Sequence, residues 1–118
     1  MGHMRLVAAS LILACAAAAC RGRSTADELV AALTSKGLHV DKREELAPRP
    51  EWVGGELGLD LMLDYEEPYV AVRFTAADLA RGYCQEGQGG VPWGVWCLEP
   101  TARPFRPETW NKVNELRR

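Results

Sequence analysis

Residues 57–74 constrain the fold of this chain more than any other part of the sequence. Leucines alternate there with mostly small or polar residues up to Tyr65. This period of two predicts a β-strand with one face on a core and the other face at least partly in water. A Glu-Glu-Pro turn and a second alternating run complete the prediction of a β-hairpin over about 57–74. Arg73, on the polar face, is expected to lie opposite Asp60 or Asp64.

Three segments carry signals for the start or the end of a helix. Thr25, with a glutamate three residues later, forms a capping box, and Gly37 is a typical C-terminal stop. Thr75 repeats the capping spacing with an aspartate, and Pro107 suits the first turn of a helix. Apolar residues recur at helical spacing after each start. We therefore predict helices over about 25–36, 76–84 and 107–117.

The remaining strands are shorter. A strand is predicted over about 95–98, and a short one is possible near 38–41. Residues 44–55 and 87–94 are rich in proline and glycine, which predicts loops. A chain of 118 residues suits one domain. The predicted fold class is α+β, a small antiparallel sheet packed against about three helices, with one disulfide.

The beginning of the chain is predicted to be a targeting signal rather than part of the fold. Residues 1–3 resemble a cloning remnant before the native Met4. An uncharged run of 14 residues then extends from Leu6 to Ala19, which is shorter than the roughly 20 residues that span a bilayer. A basic residue precedes this run, and a polar break follows it. Residues 4–19 are therefore predicted to be a secretory signal peptide.

The end of this leader resembles the lipobox of bacterial lipoprotein precursors. Ala17-Ala18-Ala19-Cys20 has small residues before the cysteine, and Ile12-Leu13-Ala14-Cys15 is a second match. The charged break directly after Cys20 favours that cysteine. The resemblance implies a lipidated Cys20, a tether over 20–24 and a globular domain over 25–118. It also implies anchoring to a bilayer in the bacterial cell envelope, facing the periplasm or the cell surface.

The cysteine count supports the same choice. If Cys20 carries the lipid, Cys15 leaves with the leader, and Cys84 and Cys97 remain as one pair. If Cys15 carried it, Cys20 would be an odd thiol, whereas exported proteins usually pair their thiols. A Cys84–Cys97 disulfide would stabilise the domain by about 3 kcal/mol. A role of these two cysteines as metal ligands or as nucleophiles is less well supported, because the sequence has no CxxC motif.

Residue types that carry catalysis are scarce after Cys20. Ser24, Ser35 and His39 are the only serines and histidine there, and we predict neither a catalytic site nor a metal site nor a cofactor. Asp60 and Asp64 are the carboxylates that a small hydrolase would use. The formal net charge of −2 argues against nucleic acid as a partner.

Charge is nevertheless uneven along the sequence. Residues 27–67 hold 11 acidic and 4 basic residues, a local net charge of −7. This half is either a solvated face or an electrostatic surface for a cationic partner.

Tryptophans are the candidates for recognition. Trp93 and Trp96 flank the predicted strand that contains Cys97, and Trp52 lies in the first predicted loop. An exposed tryptophan beside a pinned loop would suit a sugar or a peptide. Alternatively, the sheet is covered on both faces, or Trp96 packs with Phe105 beneath the proline-rich segment.

The sequence therefore predicts a non-catalytic binding or accessory module of the bacterial envelope, with a protein or cell-wall partner. Its candidate surface combines Trp93, Trp96 and Trp52 with Asp60 and Asp64, next to the loop over 87–94. A small cell-wall or glycan hydrolase that uses carboxylates is the first alternative. An envelope inhibitor of a foreign enzyme or a phage is the second.

Overall fold

The computed structural model describes residues 24–86, 89–102 and 106–117. The predicted leader and Cys20 lie outside the described residues. The elements along the chain are helix α1 (Ala26–Ser35), strands β1 (Val40–Leu46), β2 (Gly55–Leu63) and β3 (Glu67–Phe74), helix α2 (Ala77–Glu86), strands β4 (Val91–Trp93) and β5 (Trp96–Pro100), helix α3 (Pro107–Asn114) and a 3-10 turn (Glu115–Arg117). The strands form one antiparallel sheet in the order β1-β2-β3-β5-β4. The predicted α+β fold is confirmed.

The capping signals position α1 as predicted. The Thr25 hydroxyl oxygen accepts a hydrogen bond from the backbone N–H of Glu28 at 3.2 Å, which satisfies one free donor of the first turn. Gly37 has a φ of 88° after the helix, the left-handed conformation that favours glycine at this position. Leu29 and Leu33, one turn apart, are fully buried and fasten α1 to the sheet.

Apolar clusters cover both faces of the sheet. Leu59, Leu61 and Leu63 of β2 pack in one cluster with residues of α1 and α3. Val72 and Cys97 belong to a second cluster, on the opposite face. The second face is dry only in part, since Asp60 and Met62 of β2 remain partly exposed. This agrees with the expectation of a partly wet face.

Trp52 closes the second cluster by lying over two glycines of β2. A Cβ atom on Gly58 would lie 2.6 Å from the Trp52 ring, and one on Gly55 would lie 2.7 Å from the Trp52 Cβ. Such distances leave no room for a side chain at either position. The glycines of β2 therefore allow the indole to pack directly on the strand, and Trp52 is 4% exposed.

The hairpin exists, but its turn lies earlier than predicted. β2 ends at Leu63, and the turn residues Asp64 and Tyr65 have φ values of 49° and 68°. The N–H of Glu66 donates to the Leu63 carbonyl at 3.3 Å, and Leu63 pairs with Glu67, so residues 64–66 connect the two strands. Of the turn predicted at residues 66–68, Glu66 lies in the turn, and residues 67–68 are the start of β3.

The register also corrects the expected partner of Arg73. Arg73 lies opposite Leu57 of β2 and Trp96 of β5, whereas Asp60 lies opposite Val70. The guanidinium Nε of Arg73 is 3.3 Å from a carboxylate oxygen of Glu56. The acid that pairs with Arg73 therefore comes from the beginning of β2.

Two strands differ from the sequence prediction. β1 extends to Leu46, beyond the short strand expected near 38–41, and its inner residues are charged and exposed. Charged side chains are typical of edge strands, because they discourage pairing with another chain. β4 forms within the predicted loop over 87–94 and is a three-residue edge strand that contains Pro92.

The predicted disulfide is confirmed. Cys84 of α2 and Cys97 of β5 are bonded, with 5.7 Å between their Cα atoms. Both cysteines are buried, and Gly90 packs on the bond so closely that a Cβ there would lie 2.8 Å from the Cys97 sulfur. The bond ties α2 to the sheet face opposite α1.

Candidate functional site

Two of the three candidate tryptophans, Trp96 and Trp52, are buried in the core, so they do not offer an exposed surface in this structure. Trp96 is fully buried, and its indole Nε1–H donates to the carbonyl oxygen of Ser24 at 2.9 Å. Trp52 is buried over β2. Trp93 is half-buried against the first cluster. The physical reason is the alternative named above, a sheet that is covered on both faces; Phe105 lies outside the described residues.

Ser24, the last residue of the predicted tether, packs against the domain. It is 6% exposed, and its carbonyl oxygen accepts the hydrogen bond of the Trp96 indole.

Asp64 joins three parts of the fold through its carboxylate group. One of its carboxylate oxygens accepts the N–H of His39 at 3.0 Å, and the other accepts the hydroxyl of Thr109 at 3.0 Å. Asp64 thus joins the hairpin turn to the start of β1 and to α3. Asp60 lies within β2, between Glu44 and Val70. Within the described ranges, no three histidine, cysteine or acidic residues are grouped to hold a metal ion.

An open groove lies between α2 and the loop that precedes β2. Its volume is about 300 Å³. The described residues that line it are Glu51, Val53, Asp78, Leu79, Gly82 and Tyr83. Val53 is 75% exposed and Leu79 is 37% exposed. Single exposed apolar side chains are common on protein surfaces, but Val53 and Leu79 line one groove together, and adjacent apolar area of this kind is typical of interaction sites.

Local geometry explains why these side chains point outward. The N–H of Trp52 donates to the Arg49 carbonyl at 3.0 Å, and the N–H of Gly55 donates to the Trp52 carbonyl at 2.8 Å. These turns direct the Trp52 ring inward, while Glu51 and Val53 on either side of it line the groove. The loop therefore forms one wall of the groove through two consecutive hydrogen-bonded turns.

The loop also packs directly on α2. Gly54 has a φ of 82°, and a Cβ on it would lie 2.6 Å from a methyl carbon of Leu79. The Gly54 carbonyl accepts the N–H of Thr75 at 3.0 Å. Only glycine fits here, because both the backbone conformation and the contact with Leu79 exclude a side chain.

Helix periodicity supplies the other wall. Asp78 and Gly82 are four residues apart, as are Leu79 and Tyr83, so each pair lies on one face of α2. Ala80 is fully buried, which orients the helix with these two pairs toward the groove. Leu79 lies at the edge of the buried face of this helix, since it is 37% exposed next to the fully buried Ala80.

The electrostatic character of the groove is acidic. The Tyr83 hydroxyl donates to a carboxylate oxygen of Glu99 at 3.4 Å. Burial raises the pKa of Tyr83, and the negative charges of Glu99 and Glu51 raise this pKa further. Burial also raises the pKa of Glu99. Since the field of Glu51 acts on Tyr83 in this way, it would also attract a positive charge placed in the groove.

Sequence analysis missed Val53, Leu79 and Glu51 as site residues. One signal in the sequence could have indicated them. Trp52 and Val53 are adjacent apolar residues in a short segment between a proline and two glycines, and such a segment is too short to bury both side chains. Only the structure shows which of the two faces outward, because the choice depends on the glycines of β2.

The fold and the groove define a small disulfide-bonded α+β domain with an acid-rimmed apolar surface. Comparison with protein families, with characterised proteins and with solved structures finds no match to this chain. No helix within the described ranges is long and apolar enough to cross a membrane.

Proposed function

We propose that this protein is a non-catalytic binding module of a bacterial cell envelope, anchored by lipid on Cys20, and that the groove beside α2 is its binding surface. One observation carries the proposal: Val53 and Leu79 expose apolar area in the same groove, while the other large apolar side chain that is exposed among the described residues, Tyr65, lies apart from them in the hairpin turn. An apolar surface with a polar rim is the usual anatomy of a protein-binding site.

The proposed location is supported by the disulfide and by the leader. Cys84 and Cys97 form a buried bond, and such bonds persist mainly in oxidising compartments outside the cytosol. The lipobox-like Ala17-Ala18-Ala19-Cys20 supplies the membrane anchor. Both observations agree with a domain held at a membrane surface.

The two alternatives fare differently. A hydrolase that uses Asp60 and Asp64 is the less well supported alternative, because the two carboxylate oxygens of Asp64 accept hydrogen bonds from the His39 N–H and the Thr109 hydroxyl. An inhibitor of a foreign enzyme or a phage is a special case of the binding module, in which the bound segment belongs to the foreign protein.

Intact-mass analysis tests the proposed location. The protein is produced in a bacterium with its leader present, and its membrane fraction is analysed. We expect a mature chain that begins at lipid-modified Cys20 and is lighter by the two hydrogens of the disulfide. A mature chain that continues through an unmodified Cys20 would contradict the anchor.

Site-specific photo-crosslinking tests the binding surface. A photo-reactive amino acid is introduced at position 79 in the producing cells, and at position 34 as a matched control. Thr34 is also an exposed helix residue, but it lies on α1, which packs on the opposite face of the sheet. We expect a discrete adduct from position 79 that is absent from position 34 and is lost in a Glu51→Lys variant. Equal adducts from both positions would refute the surface.

A further inference from the structure

A second cavity, beside the disulfide, contains two arginines. Its volume is about 220 Å³, and it shares none of the described residues that line the groove. Arg81, Cys84 and Gln85 of α2, Gly90 before β4 and Arg117 of the 3-10 turn are among the residues that line it. Three segments that are distant in the sequence therefore meet around one cavity, which we call the arginine pocket.

The wall of the arginine pocket beside β4 is backbone without side chains. Gly89, which also lines the pocket, has a φ of 113°, a conformation that favours glycine. A Cβ on Gly90 would lie 2.8 Å from the Cys97 sulfur and 3.0 Å from the Cys84 sulfur. The disulfide thus excludes a side chain at position 90. A ligand can therefore come close to this wall.

Two hydrogen bonds orient the guanidinium group of Arg117. Its Nη2 donates to the carbonyl oxygen of Gly90 at 2.7 Å, and its Nε donates to the side-chain oxygen of Asn114. A guanidinium group has five N–H donors, so some of them remain for a ligand. Because this side chain is already ordered, binding through it costs less conformational entropy than binding through a free arginine.

The described side chains leave the positive charge of the arginine pocket uncompensated. Arg81 and Arg117 line it, and none of the described residues that line it is acidic. The ion pairs between described residues involve other cations, namely His39, Lys42, Arg73 and Arg106. The negative end of a helix dipole amounts to only about half a charge. The pocket therefore attracts an anion.

The donors of the arginine pocket suit a phosphate group better than a carboxylate. A single guanidinium group can satisfy both oxygens of a carboxylate in one bidentate pair. A phosphate monoester presents at least three acceptor oxygens and carries close to two negative charges at neutral pH. It can therefore accept hydrogen bonds from two guanidinium groups on different elements. The side-chain amide of Gln85 adds further N–H donors.

We infer that the arginine pocket binds a phosphate monoester, which Arg81 and Arg117 hold against the backbone wall at Gly90. This is a second binding site, and it depends neither on the groove nor on the proposed partner. Arg117 is the ordered half of the site, and Arg81 supplies the second positive charge. A phosphodiester, such as a lipid headgroup, has one negative charge less and should bind more weakly.

An NMR titration of the full chain in uncharged detergent tests the inference. The probe is glycerol 3-phosphate, a monoester, and the comparison is glycerophosphoglycerol, the diester headgroup of an anionic lipid. Sodium chloride keeps the ionic strength constant, so that screening does not change during the titration. We expect saturable shifts of the Gly89 and Gly90 amide signals with the monoester, and binding of the diester that is several-fold weaker.

Arg81→Gln is the decisive variant. Arg81 is exposed and forms no hydrogen bond or ion pair within the described ranges, so the variant should keep the melting temperature of the wild type. Binding of glycerol 3-phosphate should weaken by about tenfold, because one charged donor is lost. Arg117→Lys keeps the charge but not the planar fork, and it should also weaken binding.

Arg49→Gln is the matched control. Arg49 is also an exposed arginine, but it lies over the Trp52 ring and does not line the arginine pocket. This variant removes the same charge and should leave the binding of glycerol 3-phosphate unchanged. If Arg49→Gln and Arg81→Gln weaken binding equally, the overall charge explains the binding and the site is overturned.

Two further outcomes would contradict the inference. Shifts that grow linearly with the concentration of glycerol 3-phosphate would overturn the site, because a specific site saturates. A diester that binds as tightly as the monoester would overturn the preference for a monoester and favour a lipid headgroup. The proposed function fails by a different result, the loss of the specific adduct at position 79, so the two failures are distinguishable.

Discussion

The indole of Trp96 holds the carbonyl of Ser24 across the domain, with 2.9 Å between the donor nitrogen and the acceptor oxygen. Trp96 lies in β5, and Ser24 is the first described residue, directly before the cap of α1. Both residues are buried. The bond therefore fastens the entry of the chain to the sheet, and it makes Trp96 a determinant of stability rather than of recognition.

Replacing Trp96 by phenylalanine should destabilise the domain. The variant keeps an aromatic ring in the core but removes the N–H that Ser24 accepts and leaves unfilled volume. We expect the free energy of unfolding in urea to fall by about 1–3 kcal/mol. Trp93→Phe is the control, because Trp93 is only half-buried; its loss should be smaller. Equal losses for the two variants would show that the Ser24 bond is not what distinguishes Trp96.

The Asp64–Thr109 hydrogen bond should carry measurable coupling energy. Thr109 is almost fully buried in α3, and its hydroxyl donates to the Asp64 carboxylate at 3.0 Å. Asn is the informative replacement for Asp64, because asparagine also tolerates a positive φ. In a double-mutant cycle with Asp64→Asn and Thr109→Val, urea unfolding should give a coupling energy of about 1 kcal/mol. Additive losses would mean that the turn and α3 are stabilised independently.

Local signals in the sequence were sufficient to predict the helices, the hairpin and the disulfide. The Thr25 cap and the stop at Gly37 depend only on neighbours in the chain, and they are found where predicted. Only the beginning of β1 was predicted, because its inner positions are charged and exposed, so that no apolar period marks the rest of the strand. β4 escaped because its three residues contain Pro92 and follow glycines.

The candidate site was beyond the reach of local signals. Whether Trp52 faces the core or the solvent depends on Gly58, which is in another element and leaves space for the indole. Whether Trp96 is exposed depends on what covers each face of the sheet. Val53 and Leu79 can be recognised as groove residues only after the tryptophans have been assigned to the core.

Tyr65 should be strained in its turn. Its φ of 68° is unfavourable for a bulky side chain, and tight hairpin turns of this kind prefer glycine there. The ring is 70% exposed but stacks on His39, with ring centroids 3.9 Å apart. Tyr65→Gly relieves the strain and loses the stack. We therefore expect the free energy of unfolding of Tyr65→Gly to differ from that of the wild type by no more than about 1 kcal/mol in either direction.

A His39→Ala background separates the two contributions at Tyr65. The stack is already absent there, so Tyr65→Gly should stabilise the chain by about 1–2 kcal/mol in thermal or urea unfolding. If the substitution is no more favourable in this background than in the wild type, the stack contributes nothing. A loss of stability in the His39→Ala background would mean that the turn is not strained.

The Tyr69 hydroxyl should destabilise the folded state. Tyr69 is fully buried, and its hydroxyl has no hydrogen-bond partner among the described residues. A buried polar group without a partner loses its bonds to water and gains none in return. Tyr69→Phe should therefore raise the free energy of unfolding at neutral pH by up to about 1 kcal/mol. Tyr83→Phe is the matched control, because it removes a hydroxyl that donates to Glu99, and it should give no such gain.

The gain in stability from Tyr69→Phe should become larger at alkaline pH. Burial raises the pKa of Tyr69 above its ordinary value of 10.0, and the charges of Glu67 and Asp64 raise it further. Above pH 10, the ordinary pKa of tyrosine, the unfolded chain releases the Tyr69 proton while the folded chain still retains it. The wild type therefore loses stability as the pH rises. Phenylalanine has no proton to lose. In urea unfolding, the stability difference between Tyr69→Phe and the wild type should therefore widen above about pH 10, by at most about 1.4 kcal/mol per pH unit. A constant difference from neutral to alkaline pH would show that the hydroxyl reaches water in the folded state.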